Sequence, residues 1–376
     1  MRATPESCLE ILETICVDVI REEAPKTDKA GAFPEASLTA LREAGLLGAA
    51  SAVEVGGLGL SPGGISQIIR RLAQECGSTA MVVCMHYCGV AVLEAHAGEG
   101  ARRAAASGQA LTTLAFSEAG SRSHFWAPTS TAKADGDGVV LDARKSWVTS
   151  AQKAATYVWS STPLAAEGLS TLWLVPSDAE GLTLAGPFDG MGLRGNDSSP
   201  VAAEGVRVPR AAMLGADGAG FDVMMGVVLP LFNLLNSACS LGMMEAAVTR
   251  TAAHVSGPRY AHTGTTLSEL PTIRAYVARM KVQTDMVATL VADAAAAIEG
   301  GREDAMLRVL EVKAAAGEAA TEVLDTAMRV CGGAAFRRDV GVERYFRDAR
   351  AAGVMAPTTD VLYDFIGKAV CGMDLF

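Results

Sequence analysis

Ala115-Phe-Ser-Glu-Ala-Gly-Ser-Arg-Ser-His124 gathers hydroxyls and backbone N–H donors in one short turn. Such a turn can hydrogen-bond the carbonyl-and-nitrogen edge of a heteroaromatic ring, or cradle a phosphate. Trp147, followed closely by Thr149 and Ser150, adds an aromatic plate and further donors. Taken alone, these residues also fit a polar turn beside a buried barrel tryptophan. His86, in Met85-His86-Tyr87-Cys88, is a histidine of general-base type inside an apolar helical run. A satisfied core histidine is the other reading. His124 has the same chemistry, with a solvent-facing turn residue as its other reading.

Three stretches of differing pattern must position these groups. Residues 1–110 repeat apolar side chains at helical spacing, as in Leu9, Leu12, Ile15 and Cys16. The Gly56–Gly64 turn leads into a helix with Ser61 as its N-cap. It lacks the third glycine and the βαβ setting of a dinucleotide fingerprint. Residues 111–213 read as short strands at roughly 8–12-residue spacing, which predicts a small β-barrel or sandwich. Residues 214–376 return to helical spacing, broken at Gly257-Pro258, Glu299-Gly-Gly301 and Cys331-Gly-Gly333, and predict a four-helix bundle. The expected class is α+β, with the strands between two helical regions.

Composition narrows the partners. A formal net charge of -10 disfavours nucleic acid and anionic membrane surfaces. Glu6, Glu10 and Glu13 among apolar residues make the first segment an amphipathic helix rather than a signal peptide. No unbroken apolar run approaches the ~18 residues of a membrane span. The eight cysteines show no CxxC pair. Cys84 and Cys88, one helical turn apart, read as buried reduced thiols, and no metal site is expected. HExxH, Gly-x-Ser-x-Gly and P-loop motifs are absent. The expectation is a soluble, cytoplasmic, enzyme-sized subunit.

The order of motifs adds a resemblance. Gly45-Leu-Leu-Gly with Glu54–Leu60, Ser117–Ser123, Asp135–Thr149, Met191-Gly-Leu-Arg194, Val206-Arg-Val-Pro209 with Gly218–Phe221, Cys331-Gly-Gly333 and Phe346-Arg-Asp-Ala-Arg350 follow one another along nearly the whole chain. Together they resemble the acyl-CoA dehydrogenase family. The resemblance implies that family's helical–β-barrel–helical-bundle fold, bound FAD, and a homodimer or homotetramer. Position by position, it implies that Phe116 and Ser117 contact the flavin ring, with Ser123 near the phosphates or the thioester tail. Trp147 would flank the isoalloxazine, Thr149 would donate near N5 and Thr358 would touch the ring from the C-terminal loop. Gly332 and Gly333 would admit a neighbouring subunit's FAD. Arg259 lies in a variant of the family's Arg-x-x-Phe-Gly and is the last implied contact.

One implied role lacks its residue. In the family, Arg-Asp-Ala is followed by Glu-Gly-Thr, whose Glu is most often the base; the aligned pair here is Ala356-Pro357. Some members carry the acid in the helix after the barrel, where this chain has Phe232. The expected reaction is therefore α,β-dehydrogenation of an acyl thioester, on CoA or an acyl-carrier protein, by a non-standard base. His86 is the first candidate for that base, ahead of Asp360, Asp364 and His124. The alternatives are a flavin monooxygenase on the same fold or a catalytically degenerate flavin-binding scaffold. A flavin reductase or an electron-transfer flavoprotein would be the redox partner.

Overall fold

The computed structural model describes residues 3–121 and 124–375. The first region holds α1 (Cys8–Ile15), α2 (Arg21–Ala30), α3 (Glu35–Glu43), α4 (Pro62–Glu75), α5 (Gly77–His96) and α6 (Glu99–Ala106). Ser61 caps α4 as expected, its hydroxyl accepting the Gly64 N–H at 3.3 Å, with Pro62 in the first turn. Residues on every side of α5 are buried, Cys84 and Cys88 among them as free thiols. Such a helix belongs inside a core rather than on a surface.

The middle region places β1 (Thr112–Ala115), β2 (Thr131–Asp135), β3 (Gly138–Val148), β4 (Thr156–Ser161), β5 (Thr171–Pro176), β6 (Leu182–Leu184), β7 (Ser199–Pro209) and β8 (Met213–Leu214) in two sheets. The sheet orders are β1-β4-β5-β8 and β2-β3-β7-β6. Trp159 and Trp173 fill the space between them with Val139, Leu141, Val201 and Val208. These are the buried barrel tryptophans. Trp147 is not: it lies 70% exposed. The cause is a register shift in the β3–β7 ladder between Lys145 and Val148, where Trp147 takes φ +57°. Such a bulge bends the strand and re-aims its side chains.

The last region comprises α7 (Gly220–Val223), α8 (Leu229–Ser256), α9 (Pro271–Glu299), α10 (Ala305–Cys331), α11 (Val342–Val354) and α12 (Thr359–Val370). α8 packs on α4, α9 and α10 and so joins the two helical regions. By length and composition, Gly77–His96 and Gly220–Ser256 are each apolar enough to cross a bilayer, which corrects the expectation drawn from unbroken runs. Yet 78% of the apolar window in each is buried within the protein, as in a core helix.

The three regions meet at α11. Asp348 accepts the Leu193 N–H at 2.6 Å, and a Cβ on Gly77 would lie 2.9 Å from its other oxygen. A Cβ on Gly192 would stand 2.3 Å from the Arg347 carbonyl, so glycine is required there by close approach of backbone, whereas at Gly77 side chains would have to shift. Arg347 forks onto Asp28 of α2 at 2.6 and 2.8 Å and donates to the Met191 carbonyl at 3.1 Å. The Asp28 side chain is only 10% exposed. Arg347→Met strands that carboxylate, and we expect a loss of about 3 kcal/mol in urea unfolding. A loss under about 0.5 kcal/mol would mean that solvent already screens the pair.

Candidate active site

A cavity of about 920 Å³ opens where the barrel meets α5, the start of α8 and the end of α11. That volume accommodates a large planar cofactor and part of a second ligand. Its two sides differ in chemistry. From the helices and the segment after α11 come Met81, Met85, Val228, Leu229, Phe232, Val354, Met355 and Ala356. From the barrel and its loops come Ser117, Ser146, Trp147, Thr149, Asn196, Ser198 and Ser199. Phe116 and Phe125, whose rings stack at 6.3 Å with planes 10° apart, also line the cavity.

Thr149 and Ser198 hold each other at 3.1 Å between hydroxyls, and the Ser146 N–H donates to the Ser117 carbonyl at 2.8 Å. Beneath this edge lies a buried ion pair. Lys145 Nζ donates to Glu118 at 2.5 Å, to the Ser160 carbonyl at 2.7 Å and to the Ser160 hydroxyl at 2.9 Å. Glu118 also accepts from the Thr129 N–H at 2.7 Å and from the hydroxyls of Thr129 and Ser130. Burial pushes the Glu118 carboxyl up, but Lys145 and these donors outweigh it and hold the group below its usual range. Burial likewise lowers Lys145, to about 8, against the pull of Glu118. Both groups are fully engaged and act as a strut that fixes the Ser117 turn on β3.

The cavity brings together Phe116, Ser117, Trp147, Thr149, Phe232, Ala356 and Thr358. Arg259 lies elsewhere, exposed, donating to the Gly264 carbonyl at 2.6 Å. Gly332, at φ +58°, and Gly333 are exposed and have open space around them, away from the cavity. Ser123 lies outside the described residues. His124 is exposed, edge-on to Trp126 at 5.0 Å, and Asp360 is exposed on α12. Asp364 pairs with Lys368 at 3.2 Å.

His86 corrects the expectation set for it. It is fully buried outside the cavity lining, with Nδ1 accepting the Thr112 N–H at 3.1 Å and Nε2 3.2 Å from the Leu47 carbonyl. These contacts require the Nε2–H tautomer and leave no nitrogen for a substrate. Met81 and Met85, one turn apart, occupy the face of α5 that lines the cavity; His86 is rotated about 100° from it. Sequence reading therefore chose the right helix and the wrong face. It also missed Asn196, Ser198 and Ser199, although the Asn196-Asp-Ser-Ser199 run of polar groups was a usable signal. Among the described lining residues the carboxylates are Glu118 and Asp189. Asp189 is 93% exposed and 3.3 Å from Arg194.

Comparison with known proteins matches these features to one family. Sequence models described as acyl-CoA dehydrogenase N-terminal, middle and C-terminal domains match residues 6–113, 113–206 and 218–371. The mitochondrial short-chain specific acyl-CoA dehydrogenase of Bos taurus is 30% identical over 365 residues, covering 94% of this chain and 87% of its own. The solved butyryl-CoA dehydrogenase from Megasphaera elsdenii superposes with a TM-score of 0.91 at 20% identity, over 99% of each chain. The prolyl acyl carrier protein oxidase AnaB gives a TM-score of 0.87 at 18% identity, over 96% of this chain and 98% of its own. At those identities the two structures establish the fold.

His86 generates a pH prediction. Burial lowers its pKa from 6.5 to about 4. Above pH 6.5 the ring is neutral in both folded and unfolded chains; as pH falls towards 4, only the unfolded chain takes up the proton. Stability is therefore lost across that window, by about 3 kcal/mol at its lower end. Urea unfolding of wild type and His86→Gln at pH 7 and pH 4.5 checks this. The variant should lose less stability between the two pH values than wild type, and parallel losses would refute the assignment.

Proposed function

The chain belongs to the acyl-CoA dehydrogenase family, and from that premise we propose that it is an FAD-dependent oxidoreductase oxidising an acyl thioester. The thioester is carried on CoA or on a carrier protein, as the names of the similar dehydrogenases and of the carrier-protein oxidase suggest. The observation that carries this reading is the two-sided cavity: hydroxyls and an exposed tryptophan face an apolar wall. The residues present fit the cofactor. Trp147 offers an uncovered aromatic face of 70% exposure, while Ser117, Thr149 and Thr358 supply hydroxyls around it. FAD, when bound, supplies the two-electron acceptor. Phe116 would border the ring, and Arg259, Gly332 and Gly333 would meet the cofactor of a second copy in a homodimer or homotetramer.

The chain's own contribution is to desolvate and align the thioester. The helical wall excludes water, and the barrel hydroxyls orient the polar parts of the ligands. Position 356 occupies the place of the family's proton-abstracting acid, and its alanine cannot take a proton. Removal of the α-proton is therefore the slow step of this enzyme. The other acids named above are engaged or face solvent, so in this reading the α-proton passes to a water at the open side of the cavity. An electron-transfer flavoprotein or a flavin reductase is the expected redox partner.

One observation favours a second reading. A cavity whose carboxylates are engaged or exposed, beside an apolar wall at Phe232 and Ala356, suits oxygen transfer, which requires no α-proton base. Anaerobic mixing of the FAD-loaded protein with butyryl-CoA and other acyl-CoAs separates the two. Ala356→Glu should accelerate thioester-dependent bleaching about 10²-fold or more, the range of a positioned base. Absence of bleaching in both proteins, with thioester-dependent oxygen uptake after chemical reduction, would support the oxygen reading instead. A protein unable to bind FAD would sink both.

A further inference from the structure

Lys313 of α10 is buried to 1% exposure, and no carboxylate among the described residues pairs with it. Its ammonium donates to three backbone carbonyls, those of Ala352 at 3.2 Å, Met355 at 3.0 Å and Pro357 at 2.7 Å. It also lies 5.9 Å from the centre of the Phe232 ring. An isolated buried ammonium is costly, so something must compensate it. The compensation is complete: three protons meet three acceptors. Ala352 lies in the last turn of α11, and Met355 and Pro357 lie in the irregular segment between α11 and α12, where no helical N–H is available to their carbonyls.

The same segment contributes Met355, Ala356 and Thr358 to the cavity. Without an internal donor, its carbonyls would have to turn outward to reach water, and the wall would leave with them. Lys313 is not itself in the lining, and its protons are all engaged, so it does not act on a substrate.

We infer that Lys313 is a positioning residue that sets the apolar wall of the active site by holding the Ala352, Met355 and Pro357 carbonyls inward. The kinetic part of this inference rests on the thioester reading; the structural part does not. Lys313→Met keeps the length of the stem and removes the donors. In the FAD-loaded full chain, we expect hydrogen exchange across 352–358 to accelerate about tenfold, as for a segment losing its internal anchors. KM for butyryl-CoA should rise about tenfold while kcat changes less than about threefold, the signature of lost binding rather than lost chemistry.

Leu12→Ala, in the distant core around α1, provides a control for general destabilisation. It should lower the melting temperature without accelerating exchange at 352–358 and without moving KM. Lys313→Gln retains two donors and should fall between wild type and Lys313→Met. If the Met variant does not fold, the Gln variant is compared with wild type and Leu12→Ala in the same way. Wild-type exchange at 352–358 in the Lys313 variants, or equal acceleration in Leu12→Ala, would overturn the inference. If butyryl-CoA fails to bleach the wild-type flavin, the thioester reading falls, and the exchange comparison still decides the role of Lys313.

Discussion

The buried carboxylate of Asp348 is the constraint on which the rest of the site depends. It belongs to α11, packs against Gly77 at the start of α5 and receives the Leu193 N–H, while the neighbouring Arg347 clamps α2 and the Met191 carbonyl. Burial pushes this carboxyl up to about 6, so the group carries a desolvation cost near neutral pH. The Leu193 N–H and the nearby Arg344 and Arg347 charges offset part of that cost, the first only while the loop after β6 is packed on α11. A polar group buried at a junction thus penalises every other arrangement of the three regions. The cavity is the space that this junction leaves open.

Charge in this protein serves as scaffolding rather than chemistry. Glu118 and Lys145 fix the polar edge, Lys313 secures the apolar wall, and Asp348 with Arg347 joins the regions. Lys145 and Lys313 solve the same problem differently. The first is met by a carboxylate and two oxygens of Ser160, the second by carbonyls alone. Burial lowers Lys313 to about 7, whereas the three carbonyl bonds favour its charged form. A hydrophobic residue in its place would spare the desolvation but leave three acceptors unpaired, which is the more expensive defect.

Much of this could be read from the chain before the structure. Helical spacing, strand spacing and the Ser61 cap are local signals, and the three-part order follows from them. The residues carried by short motifs and expected to meet a cofactor, Phe116, Ser117, Trp147, Thr149 and Thr358, line one cavity. What escaped was rotation and register. His86 and Met85 are neighbours in sequence, but only the rotation of α5 in its packed position decides which meets the cavity. The sequence leaves Trp147 between an aromatic plate and a buried barrel tryptophan, and the β3–β7 register shift, which it does not mark, leaves the ring exposed. Lys313 gave no signal, because its meaning comes from carbonyls some forty residues away and not from its own neighbours.

The polarity of the cavity also constrains what can fill it. A ligand stack bound here must present hydrogen-bonding edges to the barrel and an apolar face to Met85, Phe232 and Ala356. A carboxylate on the apolar side would find no cation, because Lys313 is screened behind the carbonyls it holds and no Lys, Arg or His is among the described lining residues. Removing such an anion from water without a partner costs several kcal/mol, more than most single contacts return. Uncharged ligand groups are therefore favoured against the wall. For the same reason, an acid placed at position 356 would have its pKa raised by burial, which would bring a carboxyl towards the neutral range where a general base works best.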